Sequence, residues 1–263
     1  MVKLAITGAT GKVGEAVIKC ALQDNGCKII GLVEVVGHPL IGKTSPLMSG
    51  ISGAPAITDD LQQIISGADV VIDFTQAKAT LRHLDIISRC GKAHVIGTTG
   101  FGAEDLNIIR GTRNAKIVIS PNMSIGMNVL FEAVNRVAGI LESGYDVEIT
   151  EMHHRWKKDA PSGSALRLKE AVESAHQGRT WKSVFGREGM TGERTADEIG
   201  VMSLRGGDVV GEHTVYFVGL GERLELTHRA FSRDNFATGA LKAAKWLNTQ
   251  PYGVYSMKDV LGL

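Results

Sequence analysis

At 263 residues with 43% hydrophobic side chains, the chain can build one large or two modest domains around its own cores. Its 29 basic and 28 acidic residues leave a formal net charge of +1, which gives the whole molecule no electrostatic reason to seek nucleic acid or an anionic membrane. The three cysteines, Cys20, Cys27 and Cys90, are odd in number and form no C-x-x-C pair, so neither a disulfide framework nor a zinc knuckle is indicated, and a reducing, cytoplasmic setting fits.

The chain starts directly on a strand-like run, without the pattern of a signal peptide, and no apolar run is long enough to span a bilayer. Val2 to Thr7 reads as a buried strand. It is followed by Gly8-Ala9-Thr10-Gly11-Lys12-Val13-Gly14, which opens a helix with Val13, Ala16, Val17 and Cys20 on its apolar side. Strand, glycine turn and helix make a dinucleotide cradle: Gly8 and Gly11 let backbone N–H groups approach a pyrophosphate, and Gly14 lets helix and strand pack closely. The spacing is G-x-x-G-x-x-G, a weak signal by itself, but a second strand from Lys28 to Val33 ends on Glu34, where a carboxylate can accept ribose hydroxyls.

Residues 35 to 59 carry Gly, Pro and Ser with little periodicity and read as a surface excursion without chemistry. Helices are then expected over 60–66, 77–90 and 103–113, and strands over 68–74, 93–96 and 115–119. This alternation implies a doubly wound parallel sheet. Ligands sit at the carboxyl ends of such strands, which here present Asp73-Phe74-Thr75, Gly97-Thr98-Thr99-Gly100 and Ser120-Pro121-Asn122-Met123. Backbone and hydroxyl groups of Gly97, Thr98 and Thr99, and the Asn122 amide, suit a ribose or a nicotinamide amide, although the same residue types also serve plain turns.

A helix over 125–141 leads into a second domain. A strand over 147–152 then delivers Glu151-Met152-His153-His154-Arg155-Trp156-Lys157-Lys158-Asp159-Ala160-Pro161-Ser162-Gly163-Ser164-Ala165, the densest chemistry in the chain. A turn after His153 is expected, because adjacent strand residues face opposite sides. A helix from about Ala165 to His176 would offer N–H groups at its start, with the Ser162 and Ser164 hydroxyls, to a carboxylate; a solvated basic corner and a plain Ser162 helix cap are the alternatives. Strand-like runs over 199–205, 209–218 and 223–229 suggest a second, mixed and mainly antiparallel sheet, and 235–247 a final helix. His213 and His228 read as structural. The expected domains are 1–124, rejoined by 235–263, and 125–234.

With the glycine turn, the T-T-G strand end and E-M-H-H-R-W-K-K-D-A-P-S-G-S-A in view, the sequence resembles the 4-hydroxy-tetrahydrodipicolinate reductase (dihydrodipicolinate reductase) family over essentially its whole length. Gly186-Arg187-Glu188-Gly189, Thr191-Gly192-Glu193-Arg194, Arg205-Gly206-Gly207-Asp208 and Gly211-Glu212-His213-Thr214 add to the match. The resemblance implies an N-terminal Rossmann-like domain and a C-terminal α+β domain. It also implies a cytoplasmic homotetramer of diaminopimelate and lysine biosynthesis that reduces a small cyclic dicarboxylate with NADH or NADPH.

On that resemblance His153 is the proton donor or acceptor and Lys157 a second proton donor, while His154, Ser162, Gly163 and Ser164 bind substrate. Gly8, Ala9, Thr10, Gly11, Lys12, Val13, Glu34, Gly97, Thr98, Thr99, Ser120, Pro121, Asn122 and Met123 hold the nucleotide, and no metal is expected. This chain has Ser164 where the family usually has Thr, which keeps the hydroxyl. Val35 and Val36 follow Glu34 where some members place an Arg for a 2′-phosphate, so NADH is the expected preference, with Lys12 as an alternative cation. Other nicotinamide-dependent dehydrogenases, or a dinucleotide sensor without turnover, would share the fold. The H-H-R-x-K-x-D-A-P-S-G segment separates them.

Overall fold

The structure, a computed structural model, describes residues 1–141, 144–176 and 178–263. Its contacts divide the chain into two compact units, 1–125 with 233–263 and 126–232.

The first unit is a seven-stranded sheet in the order β12-β6-β5-β4-β1-β2-β3, with β1 Val2–Thr7, β2 Cys27–Val33, β3 Ile57–Thr58, β4 Val70–Asp73, β5 Ala93–Ile96, β6 Lys116–Ile119 and β12 Gly253–Tyr255. Every pairing is parallel. The central strands are buried on both faces, which is why β4 and β5 are short, mainly apolar runs, with Asp73 and His94 as their polar residues. One face carries α1 Lys12–Leu22 and α7 Asp234–Asn248 in a core that includes Val17, Ile18, Leu241 and Leu247. The α7 surface is lined by Ala237, Ala240, Ala243 and Ala244, all fully buried, so this helix lies close to its neighbours. A Cβ on Gly239 would stand 1.8 Å from the Met123 carbonyl oxygen. The other face packs α2 Gln62–Ile65, α3 Ala77–Arg89 and α4 Ala103–Gly111 through Leu61, Ile65, Leu84, Ile87 and Ile109. A short helix, α8 Met257–Leu261, closes the chain behind a Ser256–Asp259 capping box.

The second unit holds α5 Ile125–Leu141 from Gly126 on, β7 Asp146–His153, α6 Gly163–Ala175, β8 Lys182–Val184, β9 Glu198–Arg205, β10 Gly211–Val218 and β11 Arg223–Ala230. Its sheet runs β11-β10-β7-β9-β8. The sheet is mixed, with more residues paired antiparallel than parallel: β10 pairs antiparallel with β7 and β11, whereas β9 pairs parallel with β7 and β8. The physical reason is the α6 crossover, which returns the chain to the start of the sheet so that β9 runs alongside β7. One sheet face meets α5 and α6 through Val147, Ile149, Ile199, Val201, Val215 and Phe217. Among the described residues, no helix is long and apolar enough to cross a membrane.

The excursion over 35–59 contains more order than its composition suggests. It holds β3, a 3-10 turn Pro46–Met48 and a bridge between Thr44 and Ala56.

Candidate active site

The alternation of the second sheet places its chemistry. Residues 147 and 149 of β7 face the apolar core, so Glu151 and His153 continue the same face toward the strand end. Register puts His213 of β10 and Ser203 of β9 directly beside Glu151, and Arg205 beside His153. The row is thus apolar for two rungs and polar at the next. Glu151 has a side chain with no exposure, yet it is surrounded by donors. His153 Nδ1 lies 2.5 Å from Oε2, and the Arg205 guanidinium donates to both carboxylate oxygens at 2.9 Å. The Ser162 N–H donates to Oε1 at 3.2 Å. Burial alone would push this carboxyl up; hydrogen bonds from His153, Arg205 and Ser203 outweigh it and hold the group at about 2.

Ser162 caps α6: its hydroxyl accepts from the Ala165 N–H at 3.1 Å and lies 3.1 Å from His213 Nε2. The His213 ring packs edge-on to His153, with centroids 5.2 Å apart. Burial first, and the nearby His153 second, drive its pKa down to about 3, so His213 is neutral. The expected turn follows His153, with the Lys157 N–H donating to the His154 carbonyl. The Lys157 ammonium is held by both Asp159 oxygens at 2.9 Å, and the His154 ring lies 5.8 Å from that of Trp156.

In the first unit, Gly8 adopts φ +68°, and a Cβ there would stand 2.6 Å from the Phe74 carbonyl oxygen. A Cβ on Gly14 would stand 2.0 Å from the Gly8 carbonyl oxygen, so α1 approaches β1 as only glycine allows. The Thr10 N–H and hydroxyl both donate to Glu34 Oε1 at 2.8 Å, and the Val35 N–H donates to Oε2 at 3.0 Å. These backbone and hydroxyl donors overcome burial and hold the Glu34 carboxyl below its ordinary range. The His38 Nδ1 accepts from the Leu40 N–H, which leaves Nε2 to meet the Thr10 hydroxyl at 3.3 Å. Beside this group opens a cavity of about 600 Å³ bordered by Gly8, Gly11, Glu34, Val35, Asp59 and His83. The close-packed glycine turn, the preorganised carboxylate and the cavity suit the adenosine half of a dinucleotide.

Family models for the N-terminus and the C-terminus of dihydrodipicolinate reductase match residues 2–123 and 126–261. The chain belongs to this family. It is 48% identical to proteins named 4-hydroxy-tetrahydrodipicolinate reductase from Citrifermentans bemidjiense and from Geobacter sp. strain M21, in each case over 100% of both chains. In fold it resembles a dipicolinate-bound dihydrodipicolinate reductase from Paenisporosarcina sp. TG-14, with a TM-score of 0.76, 22% identity and 97% of each chain covered. Members of the dihydrodipicolinate reductase family are nicotinamide-dependent oxidoreductases.

Against this background the residues singled out in the sequence divide. The structure joins His153, Ser162 and the start of α6 in one network, with Lys157 on the adjoining turn, and joins Gly8, Thr10, Gly11 and Glu34 around one cavity. Gly163 opens α6 on an exposed face and Ser164 is half-buried in its first turn. The Ser162 hydroxyl is buried and caps the helix, accepting from the Ala165 N–H. The Thr98 hydroxyl is likewise turned inward, accepting from the Thr75 N–H and lying 3.2 Å from Asp73. The Met123 side chain sits in the core. Gly97 makes room for the Phe74 ring, which would stand 2.1 Å from an added Cβ. Ala9 is buried, whereas Lys12, Thr99 and Pro121 are exposed; Val13 and Asn122 are half-buried, and the Ser120 hydroxyl donates to the Asn122 carbonyl.

Sequence reasoning missed Glu151, Arg205 and Asp159 as members of the site, and it set His213 aside. Strand alternation carried a usable signal for Glu151, which shares a face with His153. No local signal pointed to Arg205. The segment over 35–59 was also read as chemically empty, yet Val35, Val36 and Asp59 border the cavity and His38 meets Thr10.

Proposed function

We propose that this chain reduces 4-hydroxy-tetrahydrodipicolinate to tetrahydrodipicolinate in diaminopimelate and lysine biosynthesis, with loss of water. The observation that carries the reading is the buried Glu151 joined to both His153 and the N-terminus of α6, in a chain of this family. Loss of the 4-hydroxyl as water gives a conjugated cyclic imine, to one carbon of which a reduced nicotinamide, when bound, would supply a hydride. The chain's own residues then have two tasks. His153 protonates the neighbouring atom through Nε2 as electron density develops there, with Lys157 as the second cation on the adjoining turn. The first turn of α6 at Gly163 and Ser164, with His154, receives a substrate carboxylate, and the helix dipole favours that charge. Ser162 contributes by fixing the helix end.

Nucleotide binding falls on the glycine turn from Gly8 to Val13, on Glu34, and on backbone and exposed groups of 97–99 and 120–123. NADH is the preferred cofactor: Glu34 already carries a negative charge where a 2′-phosphate would lie, and the Val35 and Val36 that follow supply no cation. The enzyme acts in the cytoplasm as a homotetramer, supported by a sheet face in the second unit that carries Met152, Met202, Leu204 and Tyr216 opposite the α5 and α6 side. Purified protein supplied with substrate by the coupled upstream synthase should oxidise NADH, more efficiently than NADPH, and His153→Ala should lower kcat by about 10²-fold or more. Absence of NADH and NADPH oxidation by the parent protein overturns the reading.

A further inference from the structure

We infer that Glu151, clamped by Arg205, is the positioning residue for His153: it holds Nδ1–H inward, leaves Nε2 to exchange the proton, and ties that ring to the first turn of α6. This rests on the proposed role of His153 as proton donor. Besides the Ser203 side chain, four donors converge on one fully buried carboxylate, and three of these four have no ambiguity. A guanidinium and a backbone N–H can only donate, so the two Arg205 bonds and the Ser162 bond require an acceptor at both oxygens. An ionised carboxylate with these partners accepts the fourth bond as well, which assigns the proton to His153 Nδ1 at 2.5 Å.

The opposite nitrogen is treated differently. His153 Nε2 lies next to Gly211, where a Cβ would come within 3.0 Å of it, so the glycine keeps that side of the ring clear. His213, buried and neutral, walls the ring edge-on. Arg205 has a second bond, from Nη2 to the Asp159 carbonyl oxygen at 2.7 Å, and the Asp159 carboxylate holds Lys157. The Glu151–Arg205 pair is therefore bonded to the segment of each proposed reacting group: the imidazole, the helix end and the lysine turn. Stability alone is a weak reason for such a pair, because well-packed apolar side chains commonly serve a buried site as well as an ion pair does.

Imidazole ¹⁵N spectra at about pH 9, above the ordinary histidine range, read the tautomer directly. The parent protein should show His153 in the single Nδ1–H form, and any Nε2–H or mixed form in the parent overturns the inference. Glu151→Gln, whose amide can accept or donate, should show mixed tautomers. Its kcat should fall about 10²-fold or more, KM should change less than about threefold, and NADH affinity should be unchanged. Combined with His153→Ala, Glu151→Gln should cost nothing further, because the two act as a unit. Independent, additive losses, or a Glu151→Gln protein with kcat within about threefold of the parent, overturn the inference. If Glu151→Gln does not fold, Glu151→Asp takes its place in the same double-mutant cycle. If instead His153→Ala retains full kcat, the proton-donor reading fails, while the parent tautomer still tests the positioning separately.

Discussion

Two buried carboxylates, Asp73 in the first unit and Glu151 in the second, sit at the ends of β4 and β7, where a core-facing row turns polar. Both side chains have no exposure and both meet imidazoles. Asp73 is balanced by titratable and neutral groups: His83 at 2.8 Å, His94 at 3.3 Å, and the Thr75 and Thr98 hydroxyls at 2.6 and 3.2 Å. Burial pushes its carboxyl up, but the His83 and His94 bonds prevail and hold it well below the carboxylate range. Glu151 has a permanent guanidinium in addition. Glu151 therefore has a fixed counter-charge, whereas Asp73 rests on two imidazoles and two hydroxyls, and burial pushes one of those imidazoles, His94, toward its neutral form. The difference suits the proton transfer proposed for His153 at one cluster and scaffolding at the other, beside the cavity that His83 borders.

The largest expected effect tests that difference directly. Arg205→Ala strands a fully buried carboxylate without its fixed cation and should destabilise the protein by about 3–5 kcal/mol. His83→Ala leaves Asp73 with His94 and two hydroxyls and should cost about 1–3 kcal/mol. Urea unfolding at neutral pH reads both. Equal losses would break the comparison, because they would mean that Arg205 does no more for Glu151 than an imidazole does for Asp73.

The comparison also shows what a linear sequence can display. Gly8, Gly14 and Glu34 were legible because their geometry is set by neighbours within one strand–turn–helix–strand unit. The doubly wound sheet followed from alternating elements, although β8 and β12, of three residues each, are too short to show a period. Both carboxylate clusters escaped because their partners are distant. Arg205 lies 54 residues from Glu151, and His94 lies 21 from Asp73. Arg205 reaches Glu151 only because β9 runs parallel to β7 in one register, and a slip of one residue would turn the guanidinium to the opposite face. The same dependence explains His213: the acid next to it in sequence, Glu212, alternates to the opposite sheet face and pairs with Arg229, whereas its cross-strand neighbour is Glu151.

A second, smaller effect is expected in the pH dependence of stability. His213 is held neutral down to about 3, by burial first and by His153 second. Below the ordinary imidazole value of 6.5 the unfolded chain binds a proton here that the native chain refuses. The stability from this group is therefore complete above about pH 6.5 and declines as pH falls toward 3. At about pH 5 the deficit is on the order of 2 kcal/mol. The Glu151 contribution has the same sign but a lower window, declining from the ordinary glutamate value of 4.5 toward about 2. Denaturant titrations of the parent and His213→Gln at pH 7 and pH 5 separate the two, because only the imidazole contribution changes across that interval. A parent–variant difference in stability that is the same at both pH values would contradict a neutral, buried His213.

The smallest expected effect concerns the cation at the edge of the Glu151 cluster. Lys157 is mostly buried, but its partner Asp159 is 63% exposed, so solvent screens the pair and its share of stability is below about 1 kcal/mol. Asp159→Asn removes that charge and retains the backbone carbonyl that Arg205 uses, so the network around Glu151 should persist. What changes is the availability of the ammonium. With Asp159 neutral, Lys157 meets a dicarboxylate substrate without first surrendering an ion pair, and the substrate KM should fall by up to about threefold at low ionic strength, less in high salt. Steady-state kinetics at two salt concentrations decide the matter. A KM that rises, with kcat lowered as in Glu151→Gln, would instead place Asp159 among the groups that orient the site, and the contrast between an anchored Glu151 and a dispensable Asp159 would have to be abandoned.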